Sequence, residues 1–262
     1  MATVLAPNPS VFTGSGTNTY VAGAGDRVVI IDPGSEDARH LAAVAEVAAG
    51  MGHVSAVVLT HHHPDHKDGA AELAARLDAP LLAFPHEDAP PLDRELVDGD
   101  TLDTGAGSLR VVHTPGHSRD HVCLHWQEAG VVFAGDLVAG EGFIVIDPPD
   151  GNMRAYLDSL ARIRDLEPEQ VLPGHGPAID HPRAYLDGYI AHRLGREAKV
   201  LGALSADEPR RLAAILPEAY DDTDTAMYPV ATRSLLAHLE KLVEDGTVAQ
   251  EGDGEDALYR VR

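Results

Sequence analysis

The sequence predicts a layered α/β fold followed by a mainly helical module, and three observations carry that reading. Four β-like apolar runs end on His or Asp, at His61, His117, Asp136 and His175. Helix-patterned stretches lie between these runs, as in folds where loops at one end of the strands build the site. Past about Asp180 the pattern changes to three helical segments and a closing hairpin. The division read from this is a site-bearing unit over 1–180 and a helical module over 181–262.

Residues 17–34 hold two β-rich runs around a Gly-Asp turn signal, hence a hairpin. Asp32 closes the second run. It either orients a metal-bound imidazole or simply makes the Asp-Pro-Gly turn. A helix over 36–50 ends at glycine, and a buried strand follows over 54–59. That strand stops in the run His-His-His-Pro-Asp-His at 61–66. Four imidazoles and a carboxylate are costly to bury without strong partners, and a divalent transition metal suits them. If the segment stays extended, alternation turns His61 and His63 toward one ion and His62 the opposite way. Pro64 is expected to fix a turn and block a regular helix, letting Asp65 and His66 swing toward a second ion.

A helix over 68–77 opens beside this loop, and a short strand is expected over 80–84. Residues 85–107, rich in Pro, Asp and Gly, read as loop or short strand. The strand over 109–113 runs into the turn Thr114-Pro115-Gly116-His117, whose His117 is the natural next ligand. An alternating strand starts at His121, and the apolar run 131–134 leads through Gly135 to Asp136, a carboxylate suited to bridging two ions. The helix over 154–166 carries Leu157, Leu160 and Ile163 at helical spacing. The strand over 170–172 enters Pro173-Gly174-His175, and His175 is read as the last ligand of the second ion. Alone, His117 would pass for a surface histidine and Asp136 for a turn residue; the recurrence of the pattern separates them from both. Helices over 182–204, 208–216 and 230–244 precede β-like runs at 247–250 and 257–261, which makes a winged-helix shape plausible.

Composition narrows the function. The chain of 262 residues fits one large domain, or a domain with a small appendage. The formal net charge of -22 disfavours general attraction to phosphate backbones. The sole cysteine, Cys123, excludes an internal disulfide or a zinc-thiolate cluster within one chain. No apolar stretch reaches a membrane span and the N-terminus shows no signal-peptide pattern, so a cytoplasmic protein with no membrane partner is expected.

Asp32, the motif His61-x-His63-x-Asp65-His66, His117, Asp136 and His175, in that order, resemble the metallo-β-lactamase superfamily over roughly residues 12–180. The resemblance implies an αββα sandwich with the site at one edge. His61, His63 and His117 match the ligands of a first ion, Asp65, His66 and His175 those of a second, and Asp136 the bridge. The whole chain is similar to the β-lactamase-like protein 2 family through Gly16-Thr17-Asn18-Thr19-Tyr20, His113-Thr114-Pro115-Gly116-His117, the segment 189–193 and the segment 238–242. That family carries a small winged-helix-like C-terminal module. It includes a branch linked to cleavage of single-stranded RNA and relatives that are thioesterases on carrier-bound polyketides. Lactamases with a Cys ligand place it where this chain has Asp136, so β-lactam hydrolysis is disfavoured.

The expected cofactor is two Zn2+ per chain, with Fe or Mn open as alternatives. Such a pair lowers the pKa of a bridging water toward ~7 and supplies hydroxide at neutral pH. Asp65 is expected to orient that nucleophile while ligating. His121 is either a proton donor to the leaving group or an inert strand residue. The primary reading is hydrolysis of a carboxylic ester or thioester of a small or carrier-bound molecule. The alternative is a metal-dependent endoribonuclease on single-stranded RNA, and a third reading is a sensor whose module binds DNA. Residues 181–262 hold 10 Lys plus Arg against 15 Asp plus Glu, so duplex DNA is an unfavourable partner and the module is expected to wall the cleft or form a dimer contact.

Overall fold

The computed structural model describes residues 1–262, the side chain of Glu255 excepted. Its first sheet orders six strands as β1 (Ala2–Leu5), β2 (Asn18–Ala22), β3 (Gly25–Ile31), β4 (Gly52–Val58), β5 (Leu81–Ala83) and β6 (Arg94–Glu95). Pairing is antiparallel through β3 and parallel from β3 to β6. The parallel half needs crossover helices, supplied by α1 (Ala38–Met51) between β3 and β4 and by α2 (Pro64–Lys67) and α3 (Ala70–Leu77) before β5. Five further strands form the second sheet: β7 (Thr101–Asp103), β8 (Ser108–His113), β9 (Val122–Trp126), β10 (Val131–Gly135) and β11 (Gln170–Pro173). Only the β10–β11 pair is parallel, and α4 (Met153–Arg164) makes that crossover.

Strand alternation explains the layering. In β3, Val29 and Ile31 point between the sheets, where they meet Leu109, Val111, Leu124 and Phe133. Val28 and Ile30 point the other way and pack on Leu41, Val44 and Leu73 of α1 and α3. On the second sheet Val112, Cys123, Val132 and Val171 face outward onto Tyr156, Leu160 and Ile163 of α4 and onto Leu186 and Tyr189 of α5 (Pro182–Gly202). The result is the αββα sandwich, with a buried leucine such as Leu124 contributing roughly 1.5–3 kcal/mol. Asp37 caps α1 by accepting from the amides of Arg39 and His40 at 2.9 and 3.1 Å.

The C-terminal module contains α6 (Leu212–Ala219), α7 (Tyr228–Glu244) and a small sheet of β12 (Arg210–Arg211), β14 (Leu258–Val261) and β13 (Val248–Glu251). Its core joins Ile215, Leu235, Leu239, Val248 and Tyr259 to Val200 near the end of α5. The helix α5 therefore serves both cores. Against the first unit, α7 packs Ala237 and forms ion pairs of Arg154 with Glu244 and Asp245 and of Arg233 with Asp147. No described helix is long and apolar enough to cross a membrane.

Several local expectations need correction. Pro64 does not block a helix but opens the four-residue α2, where its missing N–H is unneeded. The helix expected over 68–77 starts only at Ala70, because Asp68 and Gly69 form a turn after α2. At 208–216, Arg210 and Arg211 are drawn into the sheet opposite Tyr259 and Leu258, and the helix starts only at Leu212. Strand β1 leaves no sequence signal, because its four residues give too little alternation to stand out. The turn of the closing hairpin, between the β-like runs at 247–250 and 257–261, includes Glu255, whose side chain lies outside the described residues.

Candidate metal centre

The strand ends converge. His61 and His63 follow β4, Asp65 and His66 ride on α2, His117 follows β8, Asp136 follows β10 and His175 follows β11. His61 Nε2 and His117 Nε2 each lie 3.0 Å from His63 Nδ1. Nitrogen ligands around a tetrahedral zinc are separated by about 3.3 Å, so this trio suits one ion. His175 Nε2 lies 3.3 Å and His66 Nε2 3.9 Å from Asp65 Oδ2, forming a second trio. Asp136 stands between them. Its Oδ2 is 3.6 Å from His117 Nε2, and its Oδ1 is 3.4 and 3.3 Å from the Nε2 atoms of His66 and His175.

The rings are held with lone pairs inward. His117 donates from Nδ1 to the Val145 carbonyl at 2.9 Å. Thr60 Oγ1 donates to Asp32 Oδ2 at 2.7 Å, so it accepts from His61 Nδ1 at 3.0 Å. His66 donates from Nδ1 to Asp32 Oδ2 at 2.8 Å, while the Thr60 amide donates to Asp32 Oδ1 at 2.8 Å. Asp32 is thus the carboxylate that fixes the His66 tautomer, the role weighed for it against a plain turn. Two glycines permit the approach. A Cβ on Gly135 would sit 2.6 Å from Thr60 Oγ1 and 2.8 Å from His121 Nε2, and one on Gly174 would sit 2.7 Å from His66 Cε1 and 2.8 Å from Asp136 Oδ1.

Electrostatics divide the cluster. Burial, then the neighbouring rings of His66, His63 and His117, hold His61 well below the usual imidazole range; burial and His117 bring His63 down to about 4. For His66, burial acts downward but Asp136 and Asp32 outweigh it and raise the imidazole well above that range. For His175, Asp136 and Asp65 likewise outweigh burial and lift it to about 9. Burial pushes Asp136 upward, yet His175 and His66 take it well below the usual carboxylate range. Asp65 is lowered against its burial by His175 and His66. The side chains draw positive charge into one spot, and a divalent cation competes there with protons. His66 Nε2, His175 Nε2 and Asp136 Oδ1 are buried with no hydrogen-bond partner, the mark of donors shaped for an ion.

His121 does not suit the proton-donor role. It is fully buried, accepts from the Asp136 amide at Nε2 over 3.0 Å, and pairs Nδ1 with Thr114 Oγ1 at 2.8 Å. Burial, reinforced by His117, lowers it to about 3, so it is a neutral support under Asp136. His62 joins neither trio, although it lines the same cavity beside His63. It donates to Asp120 Oδ1 at 3.0 Å and stacks on His86 with centroids 3.7 Å apart. Sequence reading missed Asp120, Asp150 and the wall of the cleft. A cavity of about 1180 Å3 opens over the cluster, lined also by Phe12, Phe143, Ile144, Met227, Val230 and Arg233. No local signal marks the wall, because it comes from segments far apart in the chain.

Comparison with known proteins gives the family. Residues 12–175 match the family model described as the metallo-beta-lactamase superfamily, and residues 212–257 match the beta-lactamase associated winged helix domain. A Drosophila melanogaster protein named Beta-lactamase-like protein 2 homolog is 32% identical over 98% of this chain and 92% of its own. An atrochrysone carboxyl ACP thioesterase of Passalora fulva is 33% identical over 78% of this chain and 61% of its own. The solved structure of TTHA1623 in a di-iron-bound form superposes with a TM-score of 0.56 at 32% identity, covering 64% of this chain and 92% of that one.

Proposed function

The chain belongs to the metallo-β-lactamase superfamily and is a metal-dependent hydrolase, and from that premise we propose that it cleaves a carboxylic ester or thioester of a small or carrier-bound substrate at a dinuclear centre. One observation carries the dinuclear reading: the two oxygens of Asp136 face different trios. His61, His63 and His117 would hold one cation, Asp65, His66 and His175 the other, and Asp136 would bridge them. Zinc fits the donor set, and iron fits it as well. When bound, the pair supplies Lewis acidity and lowers the pKa of an adjacent water. Asp32, Thr60 and the Val145 carbonyl keep the imidazole lone pairs aimed at the centre. Asp65, with its side chain 29% exposed, would be the ligand carboxylate that orients the attacking water.

The ester and thioester reading is favoured by the cleft itself. Its lining includes Glu141, Asp147 and Asp150, and among the described residues Arg233 is its only Arg or Lys, paired with Asp147 at 3.0 Å. A polyanion such as single-stranded RNA meets repulsion there. Duplex DNA is disfavoured further, because α7 is occupied against the first unit. Purified protein should hydrolyse an acyl-N-acetylcysteamine thioester or a lactone, with turnover abolished by Asp136→Ala. Cleavage confined to a fluorescent RNA oligomer, and lost in the same variant, would establish the nuclease instead.

A further inference from the structure

Eight large hydrophobic residues of the described structure are conspicuously exposed, and four of them, Val11, Phe12, Phe143 and Met227, line the one cavity that opens over the His/Asp cluster. Scattered exposed apolar residues need no explanation, but a group gathered at one mouth does. From three separate segments and the two units of the molecule, we infer that this rim is an acyl-binding site, which takes the uncharged apolar acyl portion of the substrate, aromatic or medium-chain. The inference rests on the ester and thioester reading above and adds to it the acyl class and the residues that select it.

Phe143 shows that the rim is built rather than incidental. Half of its surface is exposed, yet its ring stacks on His192 with centroids 3.6 Å apart and planes 9° apart. Its other neighbours are Tyr189, at 5.0 Å between centroids, and the Arg193 guanidinium, 5.8 Å from the ring. Arg193 is itself buried and donates to the carbonyl of Ile144, the next residue. Three residues of α5 thus clamp an aromatic face that is left open to the cleft. Fixing a ring before binding removes the ordering cost a ligand would otherwise meet.

On the N-terminal side, Ser10 Oγ accepts from the amides of Phe12 and Thr13 at 3.1 Å each, and Thr13 Oγ1 donates to the Asn8 carbonyl at 2.6 Å. This knotted turn holds Val11 and Phe12 outward. The C-terminal module supplies Met227 and Val230, adaptable apolar surface well suited to acyl groups of varied shape. Charge sets the remaining preference. Glu141, Asp147 and Asp150 repel an anionic acyl tail, and Arg233 is already neutralised by Asp147. The same carbonyl segment that carries Phe143 and Ile144 also anchors His117 through Val145, so a seated acyl group lies directly beside the candidate metal centre.

The test compares the metal-loaded full-length enzyme with Phe143→Ala and Met227→Ala on acetyl-, octanoyl- and benzoyl-N-acetylcysteamine. Binding of 2-decanone, a ketone that cannot be hydrolysed, is measured alongside by calorimetry. The expected result is that wild type prefers octanoyl or benzoyl over acetyl. Each variant should lower the octanoyl-to-acetyl ratio of kcat/KM about tenfold, mainly through KM, and weaken 2-decanone by a similar factor. Metal content and the circular-dichroism melt establish that a variant is folded, and Phe143→Leu, which keeps apolar bulk, should recover part of the ratio. Equal KM for acetyl and octanoyl substrates, or an unchanged ratio in two folded variants, would overturn the inference. Phe143-dependent binding of 2-decanone without turnover of any thioester would uphold the site and count against the hydrolase reading.

Discussion

Asp32 offers the sharpest test of the metal centre, because it never needs to touch an ion. Its Oδ1 accepts from the Thr60 amide, and its Oδ2 accepts from both Thr60 Oγ1 and His66 Nδ1. All three partners are donors, and an amide at this place can accept from only one side. If Asp32→Asn keeps its oxygen toward the Thr60 amide, its NH2 faces His66 Nδ1. His66 must then accept there, which puts its proton on Nε2 and removes the lone pair that would hold the second cation. Thr60 Oγ1, forced to accept from the new NH2, would donate to His61 Nδ1 and spoil the His61 tautomer as well. The opposite flip leaves the buried Thr60 amide facing a donor. Loss of such an orienting group costs 10–100-fold in metal affinity, equivalent to about 1.4–2.8 kcal/mol. Chelator competition with Zn2+, read against a wild-type far-UV spectrum, should show at least the second ion weakened by that factor. Two ions retained at wild-type affinity would refute the tautomer argument.

Further predictions follow from single residues. Gly174→Ala should press its Cβ against His66 and Asp136, costing about 1–3 kcal/mol as overpacking and lowering metal occupancy by atomic absorption. His121→Asn should lose roughly 1–3 kcal/mol in urea melts, because the buried Asp136 amide loses its acceptor, while the pH–rate profile keeps both limbs; loss of one limb would restore His121 as the proton donor. Burial pushes the Cys123 thiol up to about 12, so native protein should resist a disulfide reagent at pH 8 and react with one equivalent once unfolded. The sign of the linked stability follows, since the folded state favours the neutral thiol. That contribution is complete below the unfolded thiol pKa of about 8.5 and declines as pH rises toward 12, which urea midpoints at pH 8 and 10 would register.

The candidate donors are legible in the sequence, because His-x-His-x-Asp-His at a strand end is a local pattern and residue spacing sets which side chains can turn together; the fold brings them into neighbouring groups. Alternation turns His62 to Asp120 rather than into the trio of His61 and His63, although its ring stays 4.7 Å from that of His63. Helix starts were read within a residue or two where a capping side chain marks them, as at Asp37 and Asn152. The reading was weaker where tertiary pairing overrode propensity, as when the sheet captured Arg210 and Arg211, and where burial changed a role, as with His121.

Taken alone, the amino-acid order determined an α/β chain whose strand ends carry imidazoles and carboxylates suited to a metal, since periodicity and side-chain chemistry are properties of short segments. The tertiary structure decided which nitrogen of each ring faces inward, that Asp136 turns one oxygen to each trio, and that Asp32 orients His66 while His121 sits buried as an acceptor under the Asp136 amide. It also decided that Phe12, Phe143 and Met227, distant along the chain, share one rim. Those outcomes depend on packing between layers, and contacts across layers leave no trace in local spacing.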